Sequence, residues 1–404
     1  MKARRIDSLT GIRFLAALWV LLFHYTAWHL IELPAPLAAF VAQGRAGVSL
    51  FFILSGFILY HTYHAEFQNR VSGARFRAFI RARLARVYPL HVLTLLLITP
   101  FTLWYVWTES AGAKVWFGVI PTPSLLASSW FANLLLLHVY HPTLPFEELW
   151  NGPSWSIANE MVFYLLFPAF AALILSRIHR TKVLLRLATV LFVLEVAGFV
   201  AMLELAINVH WTTIDFLIRL PIARVWEFFL GCTLAAVRVR WQSAPARRLS
   251  TPGRHLTLAL TLAGIVGVAM LPSSGVIDLM RWYVLYTPLF GLLILTLGSG
   301  ATFLTPVLAC PPIVLLGEAS FALYLTQAIG GEFLARLSLL GYPVGTGTYW
   351  PILAIAATVT ASMILYRYFE SPVRRALREP LRREPQLVAL GSRPAPVMLS
   401  GAGS

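Results

Sequence analysis

The residues that could do chemistry in this chain sit where an apolar helix tolerates them least. Arg13 and His24 lie in LTGIRFLAALWVLLFHYTAW, residues 9–28. On a helix they stand roughly 16 Å apart along the axis, about three turns, and close to one face. A histidine with an ordinary pKa of roughly 6.5 can take a proton from a hydroxyl near neutral pH, and a guanidinium can hold an anionic group. The bland reading carries equal weight: an arginine that snorkels to the interface and a histidine bonded to a neighbouring helix. Arg83 and Arg86 stand three apart in FRAFIRARLARVYPLH, just before Pro89, so both guanidinium groups share one side of a helix. Positive-inside topology accounts for basic residues here, and its rival is phosphate recognition. Glu160, in NGPSWSIANEMVFYLLFP at 151–168, lies a turn or two inside an apolar run, at a depth comparable with that of His24. A carboxylate there orients an imidazole, binds a sugar hydroxyl, or caps a helix and meets interfacial water. Trp155 and Tyr164 fit an aromatic belt as readily as a sugar platform. Glu195, Arg219, Arg224, Glu227, Glu318, Tyr324 and Gln327 are further polar positions in apolar surroundings. Arg224 and Glu227 are spaced to neutralise each other.

Such residues need spans to position them, and composition provides those. The 404-residue chain is 58% hydrophobic and 12% charged, with a mean hydropathy of +0.73, outside the range of soluble domains. An all-α integral membrane protein follows. Runs of about 17 to 25 apolar residues cross a bilayer as helices. Such runs fall near 10–30, 46–64, 87–107, 155–176, 182–204, 219–237, 255–271, 281–298, 311–330 and 349–369. An eleventh, SLLASSWFANLLLLHVY at 124–140, is shorter, and charge arbitrates its status. With the N-terminus inside, leaving 124–140 out of the crossings puts nearly every Lys and Arg of the loops on the cytoplasmic side. Only Arg45, Lys114, Arg281 and Arg336 then fall outside.

The expected architecture is a bundle of about ten transmembrane helices, with 124–140 a re-entrant or interfacial helix on the outer side. Both termini are expected in the cytoplasm, in a bacterial-type cytoplasmic membrane. Residues 1–377 form the transmembrane unit, and 378–404, rich in Arg, Pro and Gly, form a disordered cytoplasmic tail. The net charge of +15 is spread over short segments between apolar runs rather than over a basic domain, which argues against nucleic acid as a partner. Cys232 and Cys310 are too few for a disulfide framework or a metal site, and no metal is expected. The first stretch has the basic flank of an export signal but holds an Arg and a His without a convincing cleavage site, which favours an uncleaved span.

These pieces together resemble the membrane-bound acyltransferase family 3. The likeness runs through Arg13 with His24, GVSLFFILSGFILY at 47–60, FIRARLARVYP at 79–89, PSWSIANEMVFYLLFP at 153–168, RVWEFFLGCTLA at 224–235, GEASFALYL at 317–325 and YFESPVRR at 368–375. It implies transfer of an acyl group, usually acetyl, from cytoplasmic acyl-CoA to a hydroxyl. The acceptor would be a surface polysaccharide, a lipid-linked sugar, peptidoglycan or, in some members, a macrolide. No cofactor is bound permanently; acyl-CoA is a co-substrate. Arg13, Arg83 and Arg86 would then hold the CoA donor. His24 would be the base, with Glu160 orienting His24 or the acceptor, and Trp155, Ser156 and Tyr164 would meet the acceptor. The family commonly has a His after SFALYL, where this chain has Thr326 and Gln327. A transporter or flippase for an anionic glycoconjugate or lipid is the alternative from another class.

Overall fold

The apolar runs fold into helices. The computed structural model describes residues 5–68, 70–108, 122–141, 149–209, 216–243, 250–273, 275–339 and 349–377. The expected tail, 378–404, and much of the expected external excursion lie outside the described residues. Among the described residues there is no strand, and ten helices are long and apolar enough to cross a membrane, one for each expected run. We label them α1 (Asp7–Ala27), α2 (Gly47–Tyr63), α3 (Gly73–Thr108), α4 (Trp155–Ala169), α5 (Thr181–Val209), α6 (Pro221–Ser243), α7 (Thr251–Ala269), α8 (Tyr286–Ser299), α9 (Pro311–Leu339) and α10 (Trp350–Leu365). The basic stretch read as a loop before the third span is the first part of α3, which begins at Gly73. Ala, Arg and Leu are good helix formers, so hydropathy falls there without the helix stopping.

Neighbouring contacts show the directions of the spans. α1 and α9 run parallel: Thr10 meets Gly317, His24 meets Gln327, and Trp28 meets Gly331. α2 and α6 do the same, with Ser49 against Arg224 and His61 against Arg238. In an alternating bundle, only spans of equal parity can run parallel, as first and ninth or second and sixth do. These approaches need small residues. A Cβ at Gly317 would overlap the carbonyl oxygen of Thr10, and one at Gly231 would overlap that of Ile53. Between α2, α3, α4 and α6 the core is a set of aromatic edges and faces: Phe52 on Phe163 at 5.1 Å, Phe79 on Phe167 at 5.3 Å and Phe163 on Phe228 at 5.2 Å.

The eleventh apolar run does not cross. It forms a helix of 12 residues, Pro123–Leu134, about 18 Å long and too short for a bilayer. This helix lies antiparallel to α3: the Trp130 indole donates to Thr99 Oγ1 at 3.0 Å, and Tyr88 donates to the Leu134 carbonyl at 3.0 Å. It therefore enters beside the far half of α3 and stops part-way along it, as a re-entrant helix. Two crossed hydrogen bonds end it, Leu137 N–H to Ala132 O at 2.7 Å and Leu136 N–H to Asn133 O at 3.0 Å, with Leu136 in the left-handed region at φ 58. This is a Schellman closure with Leu where Gly is usual. α1 ends in the same way, with His29 at φ 56. Leu30 N–H reaches Tyr25 O at 2.9 Å and His29 N–H reaches Thr26 O at 3.1 Å, so the turn that carries His24 is tied off one residue after Trp28.

Candidate active site

Arg13, Arg83 and Arg86 converge on one pocket, whose wall also includes Glu160, Ser156, Tyr164 and Tyr324. Three helices bring them together: α1 carries Arg13, α3 both other arginines, and α4 the glutamate. Arg83 is buried. Its NH2 donates to the Tyr63 hydroxyl at 2.8 Å, and its guanidinium lies 5.1 Å from the centre of the Tyr63 ring. Its Nε is buried and has no hydrogen-bond partner among the described residues, a donor of the kind an anion takes up. Glu160 accepts a short hydrogen bond from Tyr164, one turn along α4. Arg86, Glu160 and Glu370 are the charges that act on Arg13. Glu370 comes from the π-helical turn Tyr366–Glu370 that follows α10.

His24 does not line that pocket. Its Nδ1 is 3.1 Å from Gln327 Oε1 on α9, and the Trp28 indole stacks on its ring at 5.1 Å and 12°. The expected pairing of Glu160 with His24 is therefore corrected: Glu160 bonds Tyr164 on the arginine side, and His24 bonds a neutral amide. Depth along two helices does not fix which way each is turned: Tyr164 reaches Glu160 from four positions along its own helix, and the polar neighbour that packing brings to His24 is Gln327. Phe51 and Tyr324, 6.0 Å apart edge to face, both line the pocket. Tyr324 belongs to the pocket wall and precedes Gln327 by three residues, so about one helical turn of α9 separates the pocket from His24.

The residues expected to meet an acceptor divide. Ser156 and Tyr164 line the pocket, and the Ser156 hydroxyl lies 3.0 Å from that of Tyr324. Trp155 does not line it. It packs edge-on against Phe52 at 6.1 Å, as part of the core. Four residues emerge that the site reading of the sequence did not include: Tyr63, Tyr324, Gln327 and Glu370. Tyr324 and Gln327 were visible as polar residues in an apolar run. Glu370 sits inside the YFESPVRR string. Nothing marked Tyr63, because a tyrosine at a helix end is ordinary.

A second buried polar cluster behaves differently. Arg224 lies 3.1 Å from Glu227 and donates to Ser49 at 2.8 Å, with Tyr283 4.7 Å from its guanidinium. Glu195, for which the sequence offered no partner, accepts from Thr287 at 2.7 Å. None of these residues lines the arginine pocket. Among the described residues no group of three or more His, Cys, Asp and Glu is arranged to hold a metal.

A multi-pass helical bundle with a cationic cavity, and a histidine bonded to a glutamine one helical turn past the lining Tyr324, defines the class as a membrane-embedded protein with a built internal site. Residues 6–367 match the acyltransferase domain family, and the chain belongs to it; it is a membrane O-acyltransferase. It is 28% identical over 404 residues to the acyltransferase MdmB of Streptomyces mycarofaciens, with 94% of this chain and 95% of MdmB covered. It is 23% identical over 391 residues to the peptidoglycan O-acetyltransferase OatA of Listeria monocytogenes, covering 92% of this chain and 56% of OatA. Identity to the O-acetyltransferase OatA of Staphylococcus aureus is also 23%, over 384 residues, covering 92% and 58%. The chain thus spans nearly all of the first relative and little more than half of the OatA proteins. No solved structure matches it.

Proposed function

We propose that this enzyme takes an acyl group, acetyl in the first instance, from acyl-CoA and gives it to a hydroxyl of a carbohydrate-containing acceptor such as a surface polysaccharide, a lipid-linked sugar or a glycosylated small molecule. The observation that carries the reading is the convergence of Arg13, Arg83 and Arg86 on a single pocket that ends one helical turn from His24. Phosphates of the donor bind at the arginine end, which faces the cytoplasm of an inner membrane if the basic loops lie inside. The axial distance from Arg13 to His24, roughly 16 Å, is comparable to the reach of a pantetheine arm. The thioester therefore approaches His24 while the nucleotide stays at the mouth, and the acceptor comes from the opposite end. Donor and acceptor meet within the bundle, and neither crosses it.

In this reading His24 removes the proton of the acceptor hydroxyl as its oxygen attacks the thioester carbonyl. The C–S bond then breaks, and the imidazolium returns the proton to the leaving thiolate. Glu160 belongs with the donor subsite, where it balances part of the arginine charge and holds Tyr164. Phe51 and Tyr324 stand on the path of the acyl group.

Purified enzyme incubated with labelled acetyl-CoA and extracted surface glycans tests this directly. Release of free CoA thiol together with label in an alkali-labile ester on the glycan is the expected result. Movement of a phosphorylated glycolipid across a vesicle wall with no thiol released would replace the reading with that of a transporter.

A further inference from the structure

The contact between His24 and Gln327 carries more information than its length. Gln327 Nε2 donates to the backbone carbonyl of Tyr324 at 2.9 Å, and a carbonyl can only accept. The amide cannot be turned round, because the reverse orientation would press two oxygens together. Its Oε1 must face His24, whose Nδ1 stands 3.1 Å away. An amide oxygen also only accepts, so Nδ1 carries the proton, and in a neutral imidazole Nε2 is then the bare nitrogen. The stacked Trp28 indole holds the plane of the ring. Nε2 has no hydrogen-bond partner among the described residues and is not among the buried unsatisfied atoms, so it remains open to a substrate. Thr326, the neighbour of Gln327, spends its hydroxyl on the Ala322 carbonyl of its own helix at 2.8 Å. Gln327 alone of the two reaches across.

We propose that Gln327 is a positioning residue for acyl transfer: it locks His24 in the Nδ1–H tautomer and leaves Nε2 as the nitrogen that takes the acceptor's proton. The inference rests on His24 being the base. The acceptor's O–H proton passes to Nε2 as the new ester bond forms and the thioester C–S bond breaks, and the same nitrogen returns it to the thiolate. A neutral amide fixes the tautomer without placing a negative charge beside the ring. The charged groups that act on His24 from the other packed elements, Arg45 before α2 and Arg219 before α6, are both cations, and neither offers an acceptor to Nδ1.

Nitrogen NMR of the full chain labelled with [15N]histidine reads the tautomer without any turnover, the His24 signals being assigned by their loss in His24→Gln. The expected wild-type spectrum shows a protonated Nδ1 and a bare Nε2. Gln327→Leu should give a mixture of tautomers and a kcat lower by roughly 10- to 100-fold, with the donor KM held. Gln327→Glu should restore the Nδ1–H form and move the acidic limb of the kcat profile to higher pH, because a carboxylate favours the protonated ring. A wild-type spectrum with bare Nδ1, or a Gln327→Leu enzyme with unchanged tautomer and kcat, overturns the inference and leaves His24 as base untouched. Full activity in His24→Ala removes the base assignment instead, whatever the spectrum shows.

Discussion

The two ends of α1 hold their ionisable residues in opposite ways. At the Arg13 end, charge gathers: Arg83, Arg86 and Glu160 come from two other helices onto one cavity, Glu370 acts on Arg13 from the turn after α10, and a buried guanidinium nitrogen is left unfilled. At the His24 end, the direct partners are neutral, an amide and an indole. The difference matches the roles proposed above for the two ends. An anion is held by donors that have not already been satisfied, and Arg83 Nε is such a donor among the described residues. A general base must be uncharged at rest and directed, which calls for a neutral acceptor on one nitrogen and space at the other. The Arg224, Glu227 and Glu195 cluster shows the contrast from a third side: Arg224 pairs with Glu227 and Ser49, Glu195 accepts from Thr287, and although Arg224 Nε is as unfilled as Arg83 Nε, none of these residues lines the cavity. Burial of charge alone therefore does not mark the site; burial at a cavity wall does.

Removing the base should break the contrast most. His24→Ala is expected to lower kcat by roughly 10²- to 10⁴-fold with donor binding retained, measured by thiol release and by isothermal titration with a non-hydrolysable donor analogue. Loss of donor binding in that variant would merge the two ends into one site. Arg86→Ala should act at the other end, raising the donor KM by roughly 10- to 100-fold, the range of one charged hydrogen bond, with a smaller change in kcat. An effect on kcat alone would contradict a phosphate role.

Acid tests the re-entrant helix. His138, which follows that helix and lies 3.2 Å from the Ser154 hydroxyl, has its pKa lowered to about 3, first by burial and then by the nearby His91. A histidine depressed in the folded state is charged only after unfolding, so its stabilising contribution is full above roughly pH 6.5. It is lost progressively as pH falls from there toward about 3. The melting temperature should fall through this window, and less steeply in His138→Gln; identical slopes would remove His138 as the cause. The smallest effect is expected at Trp155, which packs on Phe52 away from the pocket. Trp155→Phe should change kcat/KM by no more than about 2-fold, and a large loss would return this residue to the acceptor site.

Much of this was legible before any coordinates. Each of the ten spans was announced by a run of apolar residues, because the bilayer demands the same thing of every turn of a crossing helix. Arg13 and His24 stand out for the same reason, each being costly at that depth without a purpose, whereas Arg83 and Arg86 stand out only by their spacing, in a stretch that topology already makes basic. The re-entrant helix was ambiguous because its stop at Leu134 is written in hydrogen-bond geometry, with Leu136 in a conformation that usually advertises itself as Gly. The start of α3 at Gly73 lies outside the apolar run at 87–107 because helix formation and hydrophobicity are separate properties, and a span's bounds in sequence follow only the second.

What the sequence by itself determined is the membrane class, the number of crossings and the identity of the ionisable residues within them, since these depend on local composition and spacing. Only the tertiary structure decided partnership. Glu160 and His24 sit at comparable depth, yet one faces Tyr164 and the arginines and the other faces Gln327, 303 positions further along the chain. Depth is set by distance along a single helix, whereas partnership is set by how helices rotate and pack on their neighbours. The glycine at 317, which lets α9 close onto α1, brings an unremarkable glutamine to the nitrogen that decides which way the histidine works.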